Sequence, residues 1–301
     1  MTENQVKHLA IFTDKGIEGA GLLELPMARV QKAGVAYTIL DDLPAEPSYL
    51  EAQKLVDECM AYGADFIMAV GGGSVQDTAK LASILMTDEY GVKELLDTPG
   101  RAKKCVKTLM IPTTAGTGSE ATPNAIVAVP EKQLKVGIVN TNMIADYVIL
   151  DAEMIKKLPR KIAAATGVDA LAHAIECYTR HDLDDFDEVL ARGAVEGILK
   201  WLPVSVLEKT PEAREKMHHY QCMAGMAFTN VGVTAVHGIS HALGAMYHIP
   251  HGLGNAILLP FVLAFNRQDA VAAQRLDAIS HYCGVPDIVQ ALADLKSALG
   301  I

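Results

Sequence analysis

Four histidines fall within the sixteen residues His237–Gly252 (HGISHALGAMYHIPHG), in a largely apolar segment punctuated by glycine. Imidazoles this dense among Ile, Ala, Leu and Met need partners if buried: a metal ion is one, and solvent on an exposed face is another. His237 and His241 are four residues apart, so on a helix they share a face, about 6 Å apart along the axis. That spacing suits shared coordination of one ion, but taken alone such a pair is more often a hydrogen-bonded core feature. A second set lies upstream in GVDALAHAIECYT (Gly167–Thr179), where Asp169 and His173 repeat the four-residue spacing among small alanines. A carboxylate with imidazoles is a harder donor set than the thiolates of structural zinc sites and suits Fe(II), Zn(II), Mn(II) or Co(II). Either pair alone reads as a hydrogen-bonded couple; together they favour a metal.

Two glycine-rich loops carry a different chemistry. GGGSVQDTAK (Gly71–Lys80) follows the apolar run DFIMAV. Its glycines let the backbone approach a ligand, and a helix opening at Ser74 would aim free N–H groups and a positive dipole end at pyrophosphate. A tight turn with Ser74 as N-cap is the plainer alternative. PTTAGTGSEAT (Pro112–Thr122) also follows a strand-like run and offers hydroxyls to a polar ligand at the carboxyl edge of a sheet. Asp41 ends the run YTILD; an acid there can bond ribose hydroxyls and repel a 2′-phosphate, favouring NAD over NADP, or it is a turn aspartate before Pro44.

The elements that must position these residues differ between the two halves. Short β-rich runs (9–13, 37–40, 65–70, 108–112, 125–129, 134–139 and 147–150) alternate with helical patterns (22–33, 48–62 and 74–86), which predicts a doubly wound parallel sheet. After Asp151 only helices are predicted, over 161–179, 185–202, 211–229, 233–247 and 253–265. The expected domains are therefore 1–151, an α/β dinucleotide-binding half, and 152–301, a helical metal-binding half.

The formal charge of −10 argues against a nucleic-acid footprint and against anionic membranes, leaving a small molecule as the expected partner. Five cysteines, none in a C-x-x-C pair, fit reduced thiols in the cytoplasm. With no apolar h-region in MTENQVKHLAIFTDKG and no long apolar span, a soluble, intracellular protein is expected.

In this order, GGGSVQDTAK, PTTAGTGSEAT, ATGVDALAHAIE and VHGISHALGAMYHIPHGLGNAILLP closely resemble the iron-containing (group III) alcohol dehydrogenases, over roughly residues 9–266. The resemblance implies an N-terminal dinucleotide-binding α/β domain, a helical C-terminal domain and an active site in the cleft between them. Carried over, the metal ligands would be Asp169, His173, His237 and His251. His241 would stand beside the metal, near the nicotinamide, as the candidate for proton relay. The local pairing of His237 with His241 thus gives way to a ligand fourteen residues on. Gly72, Gly73, Ser74 and Asp77 match the pyrophosphate loop, and Thr113, Thr114, Thr117 and Ser119 the nicotinamide-side wall. Asp41 matches the ribose-reading acid, and Lys135 a lysine that reaches the cofactor. The implied activity is metal-dependent, NAD(H)-dependent interconversion of small primary alcohols or diols and aldehydes, with Fe(II) or alternatively Zn(II).

His181, His218, His219 and His281 match no family site and are expected at the surface or in packing. His248 is a candidate for the substrate pocket or for support of the ligand turn. Family members carry an additional stretch before the first strand and further C-terminal helices, so a chain short at both ends is expected, with exposed apolar surface and homo-oligomerisation. Two other readings stay open at this level: a catalytically weak member that binds nucleotide or metal, and a dehydroquinate-synthase-like lyase.

Overall fold

The computed structural model describes residues 3–247 and 249–301. It forms two compact units, one ending at Thr113 and resuming over Thr122–Leu150, the other comprising Thr114–Ala121 and Asp151–Ile301. The strands are β1 (His8–Phe12), β2 (Ala36–Leu40), β3 (Phe66–Gly71), β4 (Lys107–Pro112), β5 (Asn124–Val129), β6 (Leu134–Val139) and β7 (Tyr147–Val148). Helices of the first unit are α1 (Lys15–Gly19), α2 (Glu24–Ala33), α3 (Tyr49–Tyr62), α4 (Gly73–Ile84) and α5 (Val92–Leu95).

Five strands form an all-parallel sheet in the order β2-β1-β3-β4-β7. Every residue of β3 is buried, as expected for a central strand of a parallel sheet covered on both faces. Local chemistry sets the helix ends. Ser48 and Glu51 form a capping box at the start of α3, and Gly63, at φ 69°, ends it in the left-handed region that glycine adopts without penalty.

β5 and β6 depart from the expectation of further sheet strands by pairing with each other as an antiparallel hairpin. The physical reason is visible in the chain: only 130–133 join them, whereas a parallel crossover needs a dozen residues or more.

The second unit contains α6 (Ala152–Ile155), α7 (Arg160–Tyr178), α8 (Asp185–Leu207), α9 (Pro211–Val231), α10 (Ala235–Tyr247), α11 (His251–Asn266), α12 (Ala270–Tyr282) and α13 (Ile288–Leu299). Helix α7 is buried from Gly167 to Tyr178 without a break, the signature of a helix surrounded by others; α8, α9 and α11 pack on it. A Cβ on Gly167 would lie 2.1 Å from a Leu202 methyl carbon, so this close approach requires glycine.

Helix α8 runs through Pro203 to Leu207 instead of stopping at Leu202. Leu202, Ser205 and Val206 are all buried, and that burial offsets the proline penalty of about 3 kcal/mol. Among the described residues no single helix is long and apolar enough to cross a membrane.

Candidate functional site

Three helices of the second unit deliver the metal-type donors. Asp169 and His173 lie one turn apart on α7, and both are buried. His237 is the third residue of α10 and is buried. His251 is the first residue of α11, directly after Pro250. The start of α11 sits tightly in place: a Cβ on Gly252 would meet the Ala165 carbonyl oxygen at 2.7 Å, and one on Gly254 would meet Ser240 Oγ at 2.6 Å.

These side chains converge. Nε2 of His237 and Nε2 of His251 each lie 3.6 Å from Asp169 Oδ1. One ligand atom each from Asp169, His173 and His237 lies within 4.8 Å of the others. The His173 ring is sandwiched, stacking on His237 at 4.4 Å and on Phe228 at 4.6 Å between centroids. The pairing of His237 with His241 is looser, edge-on with 6.3 Å between centroids, whereas the His241 ring lies 4.9 Å from that of His251.

Electrostatics bind the set together. Burial alone would raise the Asp169 carboxyl, but the imidazoles of His173, His251 and His237 hold it well below the usual carboxylate range. Burial pushes His173 down to about 3, against the pull of Asp169. Burial also opposes charge on His237, yet its bonds to the Asp169 and Glu176 carboxylates raise it to about 9.

The donor set fits a divalent cation. The buried Nδ1 of His173 and Oδ1 of Asn255 have no hydrogen-bond partner among the described residues, a cost that a ligated ion or water would relieve. One carboxylate with imidazoles is also the chemistry expected for Fe(II) or Zn(II).

The sequence reading missed two residues. The buried Asn255 donates from Nδ2 to Asp169 Oδ1 at 2.5 Å, and that nitrogen stands 3.0 Å and 3.2 Å from Nε2 of His237 and His251. Its position four residues after His251, on one face of α11, was the available signal. The fully buried Glu176 accepts from His237 Nδ1. It falls three residues after His173 and seven after Asp169, again on one face.

In the first unit, α4 opens at Gly72 with no side-chain cap, leaving the N–H groups of the Gly72–Ser74 turn for a ligand. A Cβ on Gly71 would lie 2.5 Å from that of Val75, so the strand-to-helix turn is tight. Ser74 Oγ accepts from Glu46 N at 3.2 Å, and Glu46 pairs with Lys135 at 2.7 Å, which brings Ser74 and Lys135 to one neighbourhood. Asp77 is tied inward: its carboxylate pairs with the fully buried Lys80 at 3.0 Å and accepts from Ile126 N at 2.9 Å. Asp41 follows β2 directly and forms no hydrogen bond or ion pair among the described residues, whereas Asp42 takes Lys54. Thr113 Oγ1 is buried and without a partner among the described residues.

Thr114, Thr117 and Ser119 belong to the second unit. Gly118 carries this loop onto α9: its φ is 61°, and a Cβ there would stand 2.7 Å from Gly225 Cα. Gln221 Oε1 accepts from Gly118 N at 2.9 Å, and Thr229 Oγ1 donates to Ala121 O at 3.1 Å.

Of the remaining histidines, His181 pairs with Asp269 at the surface, His219 and His281 are exposed, and His218 is fully buried. His248 lies outside the described residues.

Comparison with known proteins gives a consistent picture. The family described as "Iron-containing alcohol dehydrogenase" matches residues 1–152, and "Fe-containing alcohol dehydrogenase family, C-terminal" matches residues 163–301. Lactaldehyde reductase of Escherichia coli (strain K12) is 38% identical over 258 residues, covering 85% of this chain and 67% of that protein. The 1-propanol dehydrogenase PduQ of Citrobacter freundii is 33% identical over 295 residues, covering 97% of this chain and 76% of its own length. Among solved structures, sulfoacetaldehyde reductase from Bifidobacterium kashiwanohense in complex with NAD+ superposes with a TM-score of 0.91 at 26% identity, covering 100% of this chain and 80% of that one.

Proposed function

The chain belongs to the iron-containing alcohol dehydrogenase family, and from that premise we propose that it interconverts small primary alcohols or diols and their aldehydes using NAD(H). Asp169, His173, His237 and His251 would hold a divalent ion, Fe(II) or alternatively Zn(II). When bound, such an ion supplies Lewis acidity towards a substrate oxygen, and the nicotinamide gives or takes the hydride.

The observation that carries the reading is the convergence of the Asp169 carboxylate with two imidazole Nε2 atoms, each 3.6 Å from its Oδ1. The protein's own groups supply the rest. The buried carboxylate of Asp169 supplies the negative charge a cation needs. Phe228, stacked on His173, keeps water from that side of the donor set. The half-buried His241 lies next to His251, outside the three-atom cluster, and an imidazole there can pass a proton to or from the substrate oxygen.

Dinucleotide binding falls to the turn of Gly72, Gly73 and Ser74, with Asp77 bracing it from α4, to Thr113, Thr114, Thr117 and Ser119, and to Lys135. Asp41, unengaged at the end of β2, supports NAD over NADP. The buried thiols of Cys59, Cys177 and Cys222 support a reducing, cytoplasmic setting, and the exposed Phe261 and Phe265 on α11 support assembly into a homo-oligomer.

The test is oxidation of NADH and NADPH with glycolaldehyde, propanal and butanal, on protein whose metal has been quantified anaerobically. NADH turnover that scales with bound metal is expected. A folded, metal-loaded sample without turnover would overturn the reading.

A further inference from the structure

The α7 face that carries Asp169 and His173 ends in a third polar side chain, Glu176, for which the reaction described above has no use. It is fully buried, and among the described residues every hydrogen bond its carboxylate receives comes from Thr234, Val236 and His237, where the chain enters α10. Oε1 accepts from Thr234 N at 3.2 Å, from Thr234 Oγ1 at 2.5 Å and from Val236 N at 2.8 Å. Oε2 accepts from Nδ1 of His237.

Helix α10 begins at Ala235, so this carboxylate takes up N–H groups that the first turn leaves without intrahelical partners, at the positive end of the helix dipole. An ionised carboxylate accepts and never donates. Nδ1 of His237 must therefore carry a proton, and Nε2, the atom facing Asp169, is the one that can give up its own proton to a cation.

We infer that Glu176 is a positioning residue for the metal centre: it fastens the start of α10 to α7 and fixes the His237 tautomer that leaves Nε2 open to a cation. The inference rests on the metal reading of Asp169, His173, His237 and His251. It adds to that reading a carboxylate–histidine–metal chain, in which the outer carboxylate sets ring orientation and ligand basicity. A helix cap alone would account for Thr234 and Val236. It would not account for the second oxygen being given to the imidazole.

Glu176→Gln separates the two roles, because it keeps the shape. The amide oxygen still accepts from Thr234 and Val236, while the amide nitrogen now donates towards Nδ1 and drives the proton to Nε2. Zinc affinity of the full chain is measured by competition with a chromophoric chelator, beside thermal melting of the metal-free protein. The variant should bind zinc about 10–100-fold more weakly than wild type, with its metal-free melting temperature little changed. Glu176→Asp, which restores a carboxylate one methylene short, should recover part of the affinity. Affinity of the Gln variant within about threefold of wild type would overturn the inference. A wild-type chain that takes up no stoichiometric zinc would instead strike the metal reading itself. Should the Gln variant not fold, wild type decides alone: long-range ¹H–¹⁵N spectra of the zinc-loaded, ¹⁵N-histidine-labelled chain should place the His237 proton on Nδ1. A proton on Nε2 would overturn the inference.

Discussion

His251 and His241 sit side by side, yet the account gives them opposite jobs, so single substitutions separate them. His251→Ala removes one of the atoms that converge on Asp169 Oδ1. Metal content and turnover should fall together, read by metal analysis per chain beside NADH kinetics; a variant keeping a full metal equivalent would remove His251 from the ligand set. His241→Ala should keep its metal and lose about 10²–10⁴-fold in rate, with an altered pH–rate profile. Unchanged kinetics would end its proton role. Both i, i+4 pairs were legible in the sequence, because the period of a helix is a local property. Local spacing also joined His237 to His241, whereas the rings face each other only edge-on. Glu176 and Asn255 went unread for the same reason in reverse. Each stands at helical spacing from a ligand candidate on its own helix, but the group it bonds, His237 for Glu176 and Asp169 for Asn255, lies on another helix and is chosen by packing that sequence spacing does not encode.

The elements bring the functional groups to their places, and two of them offer tests of their own. Gly118 holds the loop of Thr117 and Ser119 on α9 with φ 61° and Gly225 in contact. Gly118→Ala should cost about 1–3 kcal/mol in urea unfolding, whereas Gly19→Ala, where nothing lies within 4 Å of the new methyl, should be mild by comparison. On α9 itself, burial pushes His218 down to about 4 from an ordinary 6.5, with the neighbouring His219 adding to the shift. The unfolded chain then binds the proton first as pH falls. This contribution is fully present above pH 6.5 and is lost between 6.5 and 4, by at most about 3 kcal/mol. Denaturant titrations across that window should flatten in His218→Leu relative to wild type; an equal slope would show that His218 does not set it. The central strand and helix positions were legible to within a few residues because β3 and α7 are continuous runs of apolar and small residues, buried on every side. β5 and β6 were legible as strands, but their pairing with each other was not. The four-residue link after Val129 held the answer, but strand propensity alone says nothing about the partner.

For the whole molecule, family membership was legible from four ordered motifs, which together specify more than any one glycine loop does. Helices α12 and α13, beyond the last motif, were not. The division of labour follows from the fold: a parallel sheet with an uncapped helix start in one unit, and a buried carboxylate–imidazole cluster in the other. The central claim is that this cluster holds the ion on which hydride transfer depends. It is tested most directly by following NADH oxidation with an aldehyde while the protein is stripped by a chelator under anaerobic conditions and then titrated with Fe(II) or Zn(II). Activity should vanish on stripping and return in proportion to bound metal, saturating near one equivalent per chain. Full turnover by metal-free protein would contradict it.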